Sequence, residues 1–275
     1  MNVTITSAIG CFGDRTVPLS VLDVPGSSLV VCLLHGVHGV ASLEQGNKYG
    51  VLARLLVRLG VSVCVVETSR LRRDREVFTD RDRWAWSAFE GKTYAQELFD
   101  SVSGIAQVSA LFPPKKLCLW GFSLGGLNAL MVAGRRSADV IGGEFSPIAE
   151  VSQDRICGIV VSGSGDSLRS GADLGQHSLP ILDSMCSVNI LYDACRGISA
   201  QWLRFFYGSL DETFDEASCR RLFDLIPVDD RAFTVLPDVD HAFRRLGGMP
   251  SIRPLEYMVR NLQPQLQGHP GACPQ

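Results

Sequence analysis

The sequence lacks the features that would mark a membrane or nucleic-acid-binding protein. No stretch reaches the roughly 20 consecutive apolar residues of a membrane-spanning helix, and the N-terminus has no basic segment followed by an apolar run. Lysine and arginine number 26 against 29 aspartate and glutamate residues, so there is no positive field to attract nucleic acid. We therefore predict a cytoplasmic protein that has no membrane span and does not bind nucleic acid.

The cysteine and glycine patterns of common cofactor sites are also missing. None of the nine cysteines forms a Cys-x-x-Cys pair, and several lie inside apolar runs, as Cys32, Cys64 and Cys118 do. Cysteines in such runs behave as small buried hydrophobic residues. The glycine-rich patterns of phosphate-binding loops and dinucleotide-binding folds do not occur. We predict neither a metal ion nor an organic cofactor.

What the sequence does contain is an alternation of short apolar runs with longer segments of helical period. The runs at 29–34 and 61–66 are apolar except for Ser62, which is typical of strands that helices cover on both faces. Between them lies a helical segment that Gly60 ends. This alternation predicts an α/β fold with a mostly parallel central sheet and helices on both faces. A chain of 275 residues can form this as one domain.

The domain boundaries follow from segments that do not fit the alternation. We place a single domain at 1–262, with a small hairpin at its N-terminal end. Residues 167–200 form an insertion longer than a simple connection needs, and we interpret it as a small helical cap. The polar, proline-bearing segment 263–275 is predicted to be a disordered tail.

A glycine-rich turn directly follows the predicted strand at 116–120. Gly121, Ser123 and Gly125 match the pattern G-x-S-x-G, and helical composition follows at 124–133. In such a strand-to-helix turn the serine hydroxyl projects at the carboxyl edge of the sheet, near unpaired helix N–H groups. The other interpretations are a serine-capped glycine loop or a phosphate-binding turn, and the latter lacks its G-K-[ST] signature. We predict that Ser123 is a nucleophile.

Together, several short motifs resemble those of the α/β-hydrolase superfamily, in the region of its small esterase and dienelactone-hydrolase-like branches. These motifs are the elbow at 121–126, Leu-His-Gly at 34–36 and Asp-His-Ala-Phe at 240–243. The resemblance covers residues 29–262 in element order, although only these motifs are close. It implies the fold and hydrolytic chemistry more firmly than it implies a substrate.

A serine hydroxyl needs a neutral imidazole nearby to take its proton. Of the five histidines, His269 lies in the predicted tail and His177 in an irregular segment. His241 follows the last predicted strand, at 233–236, where the resemblance implies the base. The alternative is a surface histidine in a loop. We predict that His241 is the base.

The resemblance also implies an acid between the serine and the histidine in the chain. Asp211 fits best, because it lies in a G-x-x-D turn after the predicted strand at 202–207. Asp166, after the preceding strand, and Glu212 remain alternatives. Each of the three could instead be a turn carboxylate that caps the next helix.

An oxyanion hole is implied as well, made from backbone N–H groups. The resemblance places one donor at Leu124, directly after the nucleophile. The second comes from the loop at 35–39, with Val37 as our choice and His38 as the alternative. This loop departs from the HGGG form of one lipase and esterase branch.

Two nearby features bear on substrate choice. The loop at 69–83 carries six arginines, which could clamp an acidic group, but its four acidic residues favour a solvated loop whose charges pair with one another. The aromatic residues Trp84, Trp86 and Phe89 could line an acyl pocket or belong to the core.

The sequence as a whole predicts a serine hydrolase that cleaves an acyl ester of a small or medium-sized molecule through an acyl-enzyme. Thioesterase, peptidase and acyltransferase activities use the same site and remain open. So does a binding module that has lost its chemistry. The oligomeric state is left open.

Overall fold

The fold is built on one sheet in which strands distant in the sequence become neighbours. The computed structural model describes residues 3–37, 39–143, 145, 149, 151–172 and 180–268. Its strands are β1 Val3–Ile9, β2 Thr16–Leu22, β3 Leu29–Leu34, β4 Ser62–Val66, β5 Lys116–Phe122, β6 Ile156–Ser162, β7 Trp202–Leu210, β8 Asp230–Asp240, β9 Arg245–Leu246 and β10 Met249–Pro250. Within the described residues they lie in the order β1-β2-β4-β3-β5-β6-β7-β8-β9-β10.

The central strands β3 to β8 run parallel to one another, as the apolar runs of the sequence predict. The predicted N-terminal hairpin is also confirmed: β1 pairs with β2 in antiparallel fashion, and β2 then joins the sheet beside β4. At the opposite edge, β9 and β10 form a short hairpin next to β8.

Helices cover both faces of this sheet. They are α1 Lys48–Arg58, α2 Arg81–Phe89, α3 Tyr94–Leu111, α4 Leu124–Ala133, α5 Ser137–Ile141, α6 Pro180–Asp183, α7 Val188–Arg196, α8 Glu216–Leu225 and α9 Arg253–Gln267. The apolar residues of α1 and α9 pack on one face, and those of α3, α4 and α7 pack on the other.

Strand β3 shows why its sequence is apolar throughout. Val30, Cys32 and Leu34 belong to the core under α3 and α4, whereas Val31 and Leu33 belong to the core under α1 and α9. Successive side chains of a strand point to opposite faces, so a strand covered on both sides has no polar position. The mostly parallel, doubly covered sheet predicted from the sequence is confirmed.

The start of α3 is formed by a capping box. The Gln96 N–H donates to Thr93 Oγ1 at 3.4 Å, and the Thr93 N–H donates to Gln96 Oε1 at 2.9 Å. Each side chain satisfies a backbone donor that the helix itself leaves unpaired, which makes the boundary readable from two residues.

The prediction of a disordered tail from residue 263 is wrong at its start. Helix α9 continues to Gln267, although Pro264 lies inside it. Leu262 and Leu266, four residues apart, are both buried and extend the apolar face of α9 by one turn. Residues 269–275 lie outside the described part of the chain.

The predicted cap segment, 167–200, is described except for residues 173–179. It contains α6 and α7, and α7 packs against α4 and α8. The contact with α4 is close, because a Cβ atom added to Gly134 would lie 2.1 Å from the Ala194 carbonyl oxygen. Helix α7 therefore lies in the helical layer beside α4.

The strand order reverses between β4 and β5, which lie on opposite sides of β3. Strands β3 and β5 are neighbours, and near their carboxyl ends Leu34 of β3 lies opposite Gly121 of β5. Ligands of parallel α/β sheets bind at such a reversal, outside the carboxyl ends of the strands. The residues that follow β3 and β5 are therefore the first place to look for a site.

Among the described helices, none is long and apolar enough to cross a membrane.

Candidate active site

Ser123 is held in a sharp turn between β5 and α4. Its backbone has φ 54° and ψ −122°, a conformation that residues other than glycine rarely adopt. The turn is tight enough that a Cβ atom at Gly121 would lie 2.0 Å from the Gly125 carbonyl oxygen. Strain of this kind persists only where the surrounding structure enforces it, and it concentrates at functional sites.

Hydrogen bonds from the neighbouring strand hold the turn in place. The Ser123 N–H donates to the Ser162 carbonyl at 2.9 Å, and the Ser164 hydroxyl donates to the Ser123 carbonyl at 2.7 Å. Gly36, two residues after β3, lies against the serine: a Cβ atom there would be 2.9 Å from Ser123 Cβ. The loop after β3 thus approaches the serine as closely as glycine allows.

His241 and Asp211 meet at the carboxyl ends of β7 and β8. His241 Nδ1 lies 2.9 Å from Asp211 Oδ2, and the Asp211 side chain is fully buried. Asp211 Oδ1 accepts hydrogen bonds from the backbone N–H groups of Thr213 and Phe214, at 2.8 and 2.9 Å. The carboxylate is therefore fixed on both oxygens.

This contact determines which ring nitrogen of His241 carries a proton. An ionised carboxylate only accepts hydrogen bonds, so Nδ1 is the donor and Nε2 keeps its lone pair. Gly163 packs beside the pair, where a Cβ atom would lie 3.2 Å from both Asp211 Oδ2 and His241 Nδ1.

The two alternative carboxylates contact other groups. Asp166 forms a two-point ion pair with Arg221, at 2.6 and 2.7 Å, and accepts a 2.6 Å hydrogen bond from the Tyr192 hydroxyl. Burial alone would raise the pKa of Asp166, but its bonds to Arg221 and Tyr192 lower it. Glu212 accepts a 3.3 Å hydrogen bond from the backbone N–H of His241 rather than from its ring.

An open pocket of about 140 Å³ lies over the serine. It brings Ser123 and His241 together with the loop after β3 and the first residues of α1. Its lining residues are Gly36, Val37, Gly39, Val40, Asn47, Lys48, Tyr49, Phe122, Ser123, His241, Ala242 and Arg244.

The positions chosen for the oxyanion donors flank this pocket. Val37 lines it, and Leu124 is the first residue of α4, whose N–H has no acceptor within the helix. The alternative donor, His38, and the histidines excluded as bases, His177 and His269, lie outside the described residues.

His35, the buried histidine of the Leu-His-Gly motif at 34–36, supports the loop after β3. His35 Nε2 accepts a 3.0 Å hydrogen bond from the Thr68 N–H, so its Nδ1 carries the proton and donates to the Gly36 carbonyl at 2.8 Å. Burial lowers the pKa of His35. The ring is therefore neutral at pH 7 and fixed as one tautomer.

The sequence favoured a solvated loop at 69–83, but part of this arginine-rich loop is buried. Arg70 is 1% exposed, pairs with Glu67 at 3.1 Å and lies 4.9 Å from the ring centre of Phe89. Arg72 and Arg73 do pair with acids, Asp74 and Asp14. Trp84 and Phe89 belong to the core, which decides between their two interpretations.

Behind this loop lies a buried charged cluster that periodicity could not reveal. Lys92 Nζ contacts Glu97 Oε2 at 2.6 Å and Asp100 Oδ2 at 2.8 Å, and all three side chains are buried. Asp100 also accepts a 2.9 Å hydrogen bond from the Ser69 N–H.

In the described part of the chain, no group of three or more His, Cys, Asp or Glu residues could hold a metal ion.

No family model matches the sequence, and a comparison with curated proteins found no match. Solved structures do match across nearly the whole chain. A lid-less α/β serine hydrolase from Xanthomonas campestris is 16% identical, with 100% of this chain and 98% of that chain covered and a TM-score of 0.57. Dienelactone hydrolase from Anabaena variabilis is 14% identical, with 98% and 99% covered and a TM-score of 0.60.

A cold-adapted esterase from an Arctic intertidal metagenomic library is 19% identical, with 95% of this chain and 92% of that chain covered and a TM-score of 0.57. At these identities the likeness is one of architecture. The chain has the α/β-hydrolase fold, as the resemblance of its motifs implied.

Proposed function

We propose that the protein is a serine hydrolase that cleaves an acyl ester through an acyl-enzyme on Ser123. The observation that carries the proposal is a shared pocket. Ser123 enters it from the strained turn, and His241 enters it with its ring paired to the buried Asp211. A serine, an imidazole and a buried carboxylate in this relation form the machinery of nucleophilic acyl transfer.

In the proposed reaction, His241 Nε2 takes the Ser123 hydroxyl proton as Oγ attacks the ester carbon. The tetrahedral intermediate then collapses to the acyl-enzyme, and the leaving alcohol departs with that proton. A water molecule then hydrolyses the acyl-enzyme by the same two steps. It gives a proton to Nε2 as it attacks the acyl carbon, and the second tetrahedral intermediate releases the acid while Oγ takes the proton back. Asp211 holds the tautomer that this requires and stabilises the imidazolium.

The charge that develops on the carbonyl oxygen is stabilised by the backbone N–H groups of Leu124 and Val37 in this proposal. Loss of one such donor costs about 10²-fold to 10³-fold in kcat where it has been measured. No step calls for a metal or an organic cofactor.

Pocket size supports a small or medium acyl group. A cavity of about 150 Å³ accommodates a benzene ring, and the pocket over Ser123 measures about 140 Å³. Among the described residues, none from 167–200 lines the pocket. Residues 173–179 lie outside the described part of the chain, and the cap over the site formed by 167–200 stays a prediction.

A fluorophosphonate probe tests the proposal, because it labels only an activated serine. Wild type and a control, Ser7→Ala on the exposed edge strand β1, should label, whereas Ser123→Ala should not. Ester turnover should follow the same pattern, and EDTA should not affect it. Undiminished labelling and turnover in Ser123→Ala would overturn the assignment.

A wild-type protein that neither labels nor hydrolyses esters would favour the binding-module alternative. A panel of matched acyl esters, thioesters and aminoacyl amides, with water or an added alcohol as acceptor, then decides among esterase, thioesterase, peptidase and acyltransferase.

A further inference from the structure

The pocket over Ser123 carries a charge that hydrolysis of a neutral ester does not need. Lys48 and Arg244 are among its lining residues, and none of the described residues that line it is a carboxylate. We propose that these two cations bind a carboxylate carried by the substrate, which makes the enzyme selective for anionic esters. This inference rests on the proposed function of Ser123 and names a substrate class for it.

Lys48 is held beside the reacting groups by fixed contacts. Its Nζ donates to the Ala242 carbonyl at 3.3 Å and lies 4.1 Å from the ring centre of Phe122. Ala242 and Phe122 are the chain neighbours of His241 and Ser123. The ammonium group therefore lies next to both residues that handle the ester.

The position of Lys48 at the start of its helix is unfavourable with respect to the helix dipole. It is the first residue of α1, where the helix dipole favours an acidic side chain, and the first turn of α1 contains no acidic residue. An anion in the pocket would interact favourably with both the ammonium group and the helix terminus.

Arg244 lines the same pocket from the loop that follows β8. Its N–H donates to Asp240 Oδ1 and its carbonyl accepts from the Ser251 N–H, both at 2.8 Å. The backbone is thus anchored while the side chain is exposed. Among the described ion pairs none includes the Arg244 guanidinium, so it can offer its donors to a ligand.

Three carboxylates that contact the segment around His241 have other hydrogen-bond partners. Asp211 binds His241 and two backbone N–H groups, and Glu212 accepts from the His241 N–H. Asp240 accepts from the N–H groups of Arg244 and Arg245. The arginine-rich loop offers no competing anion site at this pocket, because none of its residues lines it.

Two pairs of esters test the inference and show which side of the ester carries the acid. The acyl pair is the umbelliferyl monoester of glutaric acid against umbelliferyl valerate. The leaving-group pair is the acetate of 3-hydroxybenzoic acid against that of 3-hydroxybenzamide. After correction for uncatalysed hydrolysis, kcat/KM should favour the anionic member of at least one pair by about tenfold or more.

This preference should fall towards one in Lys48→Gln and Arg244→Gln. Arg245→Gln is the matched control: it removes the adjacent exposed arginine, which does not line the pocket, and it should keep the wild-type preference. Equal kcat/KM for both members of both pairs, with neutral esters hydrolysed normally, would overturn the inference and leave the proposed function standing.

A binding measurement separates the two proposals. Ser123→Ala titrated calorimetrically with glutarate and with glutaramide should bind only the anion, and adding Lys48→Gln should weaken that binding about tenfold. Such binding in a protein without esterase activity would retain the anion site and reject the hydrolase. No difference between glutarate and glutaramide would count against the anion site whatever the turnover.

Discussion

At the scale of single residues, the contacts in the site distinguish two carboxylates that occupy similar positions in the sequence. Both Asp211 and Asp166 follow a buried strand, but Asp211 contacts the ring of His241 whereas Asp166 is neutralised by Arg221. Only the first can orient the imidazole. The contacts that distinguish them join residues 30 and 55 positions apart, so no local pattern could have decided the choice.

We expect Asp211→Asn to lower kcat by about 10³-fold to 10⁴-fold, because an amide at this place favours the wrong imidazole tautomer. Asp166→Asn is the matched control and should change kcat less than tenfold, although loss of the Arg221 pair should lower stability slightly. Ester kinetics together with thermal unfolding of both variants measure this. A greater kcat loss in Asp166→Asn would assign the acid to the end of β6.

His35 acts through the peptide unit that it contacts. The Gly36 carbonyl, which accepts from His35 Nδ1 and from the Gly39 N–H, belongs to the same planar peptide as the Val37 N–H. Fixing the carbonyl therefore aims the N–H in the opposite direction. His35 is a positioning residue for the proposed oxyanion donor.

We expect His35→Ala to lower kcat by about 10-fold to 100-fold with little change in KM, which is less than loss of a whole oxyanion donor. His35→Asn keeps an N–H near the Nδ1 position and should recover part of kcat. Steady-state kinetics on a neutral ester measure both. If the two variants lose kcat equally and KM rises instead, His35 only supports the loop's fold.

The same histidine should make stability depend on pH. Its pKa is lowered from 6.5 in the folded protein because the ring is buried, so below pH 6.5 the unfolded chain binds a proton that the folded chain does not. The free energy of unfolding should therefore fall as the pH is lowered from 6.5 to 5. Urea unfolding of wild type and His35→Asn at several pH values measures this. The free energy of unfolding should depend less steeply on pH in the variant than in wild type. Equal slopes would contradict a neutral His35.

At the scale of elements, the site depends on how closely α4 approaches the end of β3. A Cβ atom at Gly125 would lie 2.5 Å from the carbonyl oxygens of both Leu34 and His35. These oxygens belong to a buried strand end and cannot move aside freely. The glycine in the fifth position of the motif is therefore required by packing between elements.

We expect Gly125→Ala to lower the free energy of unfolding by about 1–3 kcal/mol or more, because it overpacks backbone against backbone. Gly143→Ala is the control, since a Cβ atom there meets nothing within 4 Å and its φ is not positive. Its effect should stay within about 0.5 kcal/mol. Chemical denaturation measures both, and similar losses in the two variants would show that the approach at Gly125 is not restrictive.

How far the elements could be predicted depended on whether their signal was local. The β3 and β5 runs and the Ser123 turn are each contained in a few consecutive residues, and the structure has them where the sequence places them. The end of α9 was misjudged because the segment from residue 263 is polar and contains prolines, while Leu266 packs on residues far away in the chain. Likewise Arg70 is buried against the rings of Trp84 and Phe89, which the fold brings beside it.

At the scale of the whole molecule, a single sheet separates two apolar cores. The core under α4 and the core under α9 share the strands β3 to β7, whose alternate residues contribute to one or the other. Neither layer of helices can leave without exposing strands that the other layer still needs. The described chain should therefore unfold as one cooperative unit.

Leu130 in α4 and Leu262 in α9 are both fully buried, one in each core, and they test this cooperativity. Leu130→Ala and Leu262→Ala should each lower the free energy of unfolding by about 2–5 kcal/mol, because each leaves a cavity as well as losing apolar contact. Since both cores depend on the same strands, the dependence on denaturant should keep its wild-type slope. Tryptophan fluorescence and far-UV circular dichroism should also report one coincident transition in both variants. A second transition that appears in only one variant would mean that the corresponding helical layer unfolds separately from the sheet.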